Sequence, residues 1–377
     1  MDRSKDDLVF VFISSLFISS MGLIIASPAM AESENEEGIY PRLDADVVVE
    51  IQNDGAFDSD VNGNERNELF TTTEPFLSFK PAQNFKIETG LVLEPVRGAN
   101  PGEDRFFEDH GLYAEEFYAA YDTNRFTLKA GKFNPSFGTA WDFAPGIYGV
   151  DFAEDYELTE RIGGSAALTF GGEGFGGEGF GTHTLTVNTF FADTSFLSRS
   201  AFTDRGELDK SDGGLSNTED LSSLSATLDG GDFASVPIGY HLGASYQEGG
   251  RGTPEDETGL VAGLNGSFAA NPNVNIEPIA EIAYFDNFGG ARQDNTYVTT
   301  GAAFIRGPWN VSASYTGRFV DAAGGGDRDD TLAQLTAGHS FPNGLTLDAG
   351  YRYEETADVE THIVGALLTY SFAGSVH

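Results

Sequence analysis

Between Asn134 and Glu160 the chain gathers five carboxylates, Asp142, Asp151, Glu154, Asp155 and Glu157, among Phe137, Trp141, Phe143 and Tyr148, with Arg161 directly after. Carboxylates in that company draw in and hold cations. Glycine and proline are frequent there, and long irregular segments in a compact domain are uncommon and usually functional. A second acidic group, Asp58-x-Asp60-x-Asn62-Gly63, matches the opening of a calcium loop. Arg66 and Leu69 occupy the ninth and twelfth places, so most of the ligand set is missing and a solvated loop is expected, with no resident metal. His110, His183, His241, His339, His362 and His377 show no metal-ligand spacing, and no serine lies in a nucleophile elbow. Cysteine is absent, which excludes disulfides, thiolate zinc sites and thiol catalysis. No enzyme activity and no cofactor are expected.

The elements that place these residues follow from composition and period. A formal charge of −38 over 377 residues excludes nucleic acid, whose phosphates need clustered Lys and Arg. It also excludes docking by a basic patch on an anionic membrane surface. Aromatic content of 12%, with 31 Phe, argues against a disordered acidic chain. Leu8 to Ala26 is an apolar run of about 19 residues, followed by Ala29-Met30-Ala31; a signal peptide over 1–31 is expected, then a short acidic tail over 32–39.

Alternation of period two begins at Tyr40. Leu43, Ala45, Val47, Val49 and Ile51 share one face, and Asp44, Asp46, Glu50 and Gln52 the other. The pattern recurs to Phe372, giving about sixteen strands, within roughly 14 to 18. Their connections alternate in length. Pro81 to Asn84, Asp122 to Asn124, Asn271-Pro272, Gly307-Pro308 and Pro342 to Gly344 are short. Asn53 to Glu68, Pro95 to Gly111, Asn134 to Glu160 and Asp193 to Asp220 are long, and Glu248 to Glu257, Asp321 to Asp330 and Glu354 to Thr361 are shorter but polar. Gly171 to Phe180, a tandem GGEGF, sits where a short turn belongs.

Such parity, with one apolar and one polar face per strand, points to an all-β chain. It predicts a transmembrane antiparallel β-barrel over 40–372, with short periplasmic turns and long extracellular loops, and a tail over 373–377. A sandwich would bury the apolar faces against each other; a barrel turns them to lipid and keeps its polar faces around water. The polar faces then supply a lumen wall of Glu50, Lys86, Glu88, Arg125, Lys129, Glu277, Glu281, Arg318, Asp348 and Arg352. A wall with surplus carboxylate concentrates cations mildly.

The last strand, with Gly365, Leu368, Tyr370 and Phe372, resembles the C-terminal assembly signal of Gram-negative outer-membrane barrels. Gly131-Lys132-Phe133-Asn134-Pro135-Ser136-Phe137-Gly138 resembles the strand-to-loop segment of porins of the phosphate-selective and siderophore-associated groups. The resemblance implies a bacterial outer-membrane channel for passive diffusion of small hydrophilic solutes. Its partners would be outer-membrane lipid and lipopolysaccharide, the barrel-assembly machinery through the C-terminal strand, and other copies in a homotrimer. In general porins the third long loop folds inward, so the resemblance implies a constriction lined by Asp142, Asp151, Glu154, Asp155 and Glu157, facing Arg161 or the wall bases. Phosphate specificity does not carry over, because no dense basic ladder is present. The alternative is a siderophore- or other ligand-specific uptake or binding barrel.

Overall fold

The computed structural model describes residues 39–172, 179–233 and 236–376. The expected signal segment, residues 32–38 of the acidic tail, residues 173–178 of the GGEGF duplication and residue 377 lie outside the described residues.

Sixteen long strands follow one another among the described residues. They are β1 (Arg42–Ser59), β2 (Arg66–Ala82), β3 (Phe85–Pro95), β4 (His110–Asp122), β5 (Phe126–Phe133), β6 (Arg161–Gly171), β7 (Thr182–Ala192) and β8 (Ser223–Gly231). They continue with β9 (Ile238–Gln247), β10 (Glu257–Gly266, prolonged by Phe268–Asn271), β11 (Val274–Asp286), β12 (Gln293–Arg306), β13 (Trp309–Ala322), β14 (Arg328–Ser340), β15 (Leu345–Thr356) and β16 (Val359–Val376). Neighbours in sequence pair antiparallel, and β16 pairs with β1 from Leu43↔Val376 to Ser59↔Thr361. That last ladder closes the sheet, and a closed sheet leaves no unpaired edge for lipid to meet.

The burial pattern is that of a water-soluble protein turned inside out. On β13, Val311 and Tyr315 expose 46% and 41% of their surface, whereas Ser312, Ser314 and Thr316 expose no more than 6%. Leu242, Leu260, Leu264 and Ile282 continue the exposed apolar face across β9 to β11. Exposed leucine and isoleucine on successive strands, backed by buried serine and threonine, fit a solvent of acyl chains outside and a polar interior.

Loop parity holds around most of the barrel and fails at the last connection, and several segments differ in extent from expectation. The first long connection is shorter than Asn53 to Glu68, because Asn53↔Leu69, Asp54↔Glu68 and Gly55↔Asn67 pair as strand. Polar residues on both faces of that ladder stand above the apolar belt, so alternation is lost there while backbone pairing continues. The last connection is not Glu354 to Thr361 but the two residues Ala357 and Asp358, both at positive φ (52° and 62°). Two left-handed residues match the twist of the strands they join. The expected tail after Phe372 is strand as far as Val376, held by Asp46↔Ala373 and Asp44↔Ser375.

Candidate functional site

Loop 134–160 leaves β5 and returns to β6 through a closed neck: Asn134 Oδ1 accepts from Glu160 N at 2.9 Å. It then runs inside the barrel, bonded to inward side chains of successive strands. Ser136 meets Asn188 of β7 and Thr227 of β8, at 3.2 and 3.1 Å. Gly138 N donates to His241 of β9 (3.1 Å), and Thr139 and Ala140 donate to Glu281 of β11. Gln334 of β14 donates to the Pro145 carbonyl at 2.6 Å, and Ile147 N to Thr336 at 3.1 Å. Tyr148 OH reaches Asp54 of β1 at 2.6 Å. The loop thus lies along the inner wall from β7 around to β1.

Glycines on the wall make this path. A Cβ on Gly301 would stand 2.8 Å from Pro145, and one on Gly365 would overlap the Tyr148 hydroxyl at 1.8 Å. Apolar packing completes the seat: Phe137, Ala140, Ala153, Tyr156 and Leu158 bury against Val261, Ile279, Phe285 and Tyr297 of the wall. Of the four aromatics that accompany the loop acids, Phe137 and Tyr148 are buried and Trp141 packs in part, its Nε1 donating to the Phe137 and Gly138 carbonyls. Phe143 is 48% exposed and does not pin the loop. Tyr156 and Leu158 take that part instead, and their spacing lacked any periodicity that would mark them.

The five loop acids divide into two kinds. Asp155 pairs with Arg318 of β13 at 2.6 Å, and Asp151 with Arg352 of β15. These are latches, and their partners are spoken for on the wall side too: Arg318 also holds Asp330 at 2.8 Å, and Arg352 holds Glu354 at 2.7 Å. Asp142, Glu154 and Glu157 have no ion-pair partner among the described residues, and Asp142 Oδ1 and Glu154 Oε1 have no hydrogen-bond partner. Burial pushes the Asp142 carboxyl up to about 6. Burial, then the charges of Glu115, Asp142 and Glu116, push Glu157 up to about 8. Burial, then Asp151, Glu157 and Glu94, hold Glu154 well above the usual carboxylate range. Like charges crowded in a partly desolvated passage do this to one another.

Other expected wall residues fall in varied places. Lys86 pairs with Glu88 (2.8 Å) and Asp122 (3.0 Å), and Lys129 stands 4.8 Å over the Tyr118 ring. Glu50 accepts from Thr369 at 3.2 Å, Asp348 from Asn310 at 3.3 Å, and Glu277 from Asn275 at 2.7 Å. Arg125 is not on the wall. Thr123 closes a tight turn onto Phe126, so Arg125 is exposed in the turn between β4 and β5. Arg161 does not face the loop acids; it reaches Gln247 of β9 at 3.4 Å. Asp58 ends in β1 and Asp60 accepts from Glu360 N at 3.1 Å, so these two do not share one cage with Asn62. Among the described residues no three His, Asp or Glu side chains converge as a metal site.

Glu115 and Glu116 join the acidic field beside Glu94 without having been expected. A bulge in β4, where Gly90 pairs Glu116 and Leu91 pairs Ala114, leaves Glu115 unpaired. It turns two consecutive carboxylates toward the base of the loop, where Asn134 donates to both, at 3.3 and 3.2 Å. At the loop's neck, Lys132 is buried between Glu160 (2.7 Å) and Asp193 (2.8 Å) and donates to the Leu197 carbonyl (3.0 Å). Arg205 of loop 193–222 grips Glu160 with both nitrogens, at 2.8 and 2.5 Å. Lys132→Met leaves Asp193 buried without its cation and is expected to cost about 3–5 kcal/mol. A lowered urea midpoint in detergent checks this, and an unchanged midpoint contradicts it.

A closed barrel with an apolar exterior, a polar interior and its third long loop laid along the inner wall defines a class of membrane channel. Residues 18–358 match the family model of the Gram-negative porins, and the chain belongs to that family. It is an outer-membrane channel protein of the bacterial envelope. Among solved structures it is similar to a loop L8 deletion mutant of OmpT from Vibrio cholerae, at 12% identity and a TM-score of 0.52, over 88% of this chain and 99% of that one. It is similar also to OpdK of Pseudomonas aeruginosa crystallised with vanillate, at 8% identity and a TM-score of 0.52, over 88% and 99%. At such identities the likeness concerns the fold. Comparison with curated proteins gives no match.

Proposed function

We propose that the channel passes small hydrophilic solutes by passive diffusion and prefers cations, with no bond made or broken. The observation that carries this is the division of charge. The bases Arg318 and Arg352 are held by carboxylates, while Asp142, Glu154 and Glu157 stand without a countercharge beside Glu94, Glu115 and Glu116. Asp142 is ionised at neutral pH and Glu157 ionises as pH rises past about 8, and unbalanced negative charge of this kind in a passage bounded by low-dielectric walls raises the local concentration of cations. Engagement of the assembly machinery through β16 and association into a homotrimer belong to the same proposal. Support for the first is the apolar outward series Val364, Tyr370 and Phe372 on the strand that closes the barrel.

Liposome swelling tests the reading. With solutes of equal size, entry is expected fastest for a cationic amine, slower for a neutral pentose and slowest for an anionic acid. Vesicles impermeable to the pentose would defeat diffusion. Saturable uptake of an iron chelator with little salt conductance would favour the ligand-specific alternative.

A further inference from the structure

We propose that Glu281 is the residue that positions loop 134–160 across the passage and so fixes its width, an inference that rests on the channel reading above. Glu281 lies within β11 and is 4% exposed. Its Oε2 accepts from Thr139 N and Thr139 Oγ1, both at 2.8 Å, and its Oε1 from Ala140 N at 3.1 Å and Tyr156 OH at 2.7 Å. Thr139 and Ala140 lie on the outgoing limb of the loop and Tyr156 on the returning one. One carboxylate therefore ties both limbs to the wall and to each other.

The surroundings are shaped for that carboxylate. A Cβ on Gly263 of the adjacent strand would stand 2.9 Å from Oε2. Gly138, at φ +74°, lets the chain turn against Tyr156, where a Cβ would come within 2.8 Å of the ring. Beside it, Gly138 N donates to His241 Nε2, which leaves Nδ1 to donate to Asp229 at 2.7 Å. The ionic latches Asp151–Arg352 and Asp155–Arg318 hold the returning limb. Glu281 differs from them in having no base: its charge is met by four donors of the loop, so it serves as a clasp and contributes little free charge to the lumen. Glutamine would supply one acceptor oxygen and turn amide hydrogens toward the same donors.

Single-channel recording of the refolded chain in planar bilayers tests this. Glu281→Ala, Glu281→Gln and Tyr156→Phe are each compared after heat-modified migration shows a folded barrel. Release of the limbs is expected to raise mean conductance roughly 1.5-fold or more in Glu281→Ala, with rapid flicker, and to give a smaller effect of the same kind in Tyr156→Phe. In the Glu281→Ala background Tyr156→Phe should add nothing, because both remove one linkage. Should Glu281 variants fail to fold, the double variant Tyr156→Phe with Thr139→Val removes two of the four bonds, one on each limb, and must show the flicker. Quiet, parent-like conductance, additive effects, or a shift of reversal potential alone would overturn the assignment. A parent chain without any conductance would overturn the channel reading, and the inference with it.

Discussion

Deleting residues 138–157 is expected to raise single-channel conductance by roughly twofold or more, the largest effect of any change to this chain. The loop crosses the wall from β7 to β1 through bonds to Glu281, Gln334, Thr336 and Asp54, so its bulk is inside the lumen. Its neck is closed by the Asn134–Glu160 bond, and residues outside the deletion retain that closure. The barrel ladders, including β16 on β1, do not involve the deleted residues. Heat-modified migration reports whether the barrel remains folded, and conductance is then read from single steps. A folded deletion variant with unchanged conductance would show that the loop does not set the narrowest section.

The second large effect is on selectivity. Asp142→Asn, Glu154→Gln and Glu157→Gln together remove three carboxylates that no base neutralises. At about 6 Å in water one such charge is worth about 0.7 kcal/mol to a passing cation, so at pH 9, where Asp142 and Glu157 are both ionised, the variant changes cation partition by roughly tenfold. The pH dependence has a definite sign. Burial holds Asp142 up at about 6 and Glu157 up at about 8, above the ordinary carboxylate range, so both are neutral in acid and charged in base. Cation preference should therefore rise from pH 5 to pH 9, with the parent chain gaining charge in that window and the triple variant gaining less. For stability the sign is opposite. A carboxyl raised on folding binds more protons folded than unfolded, so stability falls as pH climbs between its unfolded and folded values. A reversal potential independent of pH in the parent would contradict this part of the account.

The barrel was legible in the sequence because its signal is local. Alternation at Leu43 to Gln52 or Asn310 to Phe319 survives without knowledge of partners, and a short or long connection is visible wherever alternation stops. Strand ends beyond the apolar belt were not legible, since Asn53 to Ser59 pair through backbone while polar Asn53 and Asp54 and apolar Ala56 and Phe57 fall as neighbours and break the alternation. The candidate site divides the same way. That the Asn134 to Glu160 stretch carries acids is a matter of composition. Which acids are latched and which are left depends on barrel register, which brings Arg318 and Arg352 to Asp155 and Asp151. Glu115 was hidden by a bulge, because one extra residue shifts the alternation by which faces are assigned. Arg125 was misplaced by one turn closure. A further signal in the sequence is the set of glycines at inward positions, such as Gly263, Gly301 and Gly365, where a packed neighbouring segment explains the missing side chain.

The most direct test of the central claim is the current through the purified, refolded chain in a planar bilayer under a potassium chloride gradient. The account predicts discrete conductance steps and a reversal potential of the sign that favours potassium over chloride. Absence of steps, or a reversal potential favouring chloride, would contradict it.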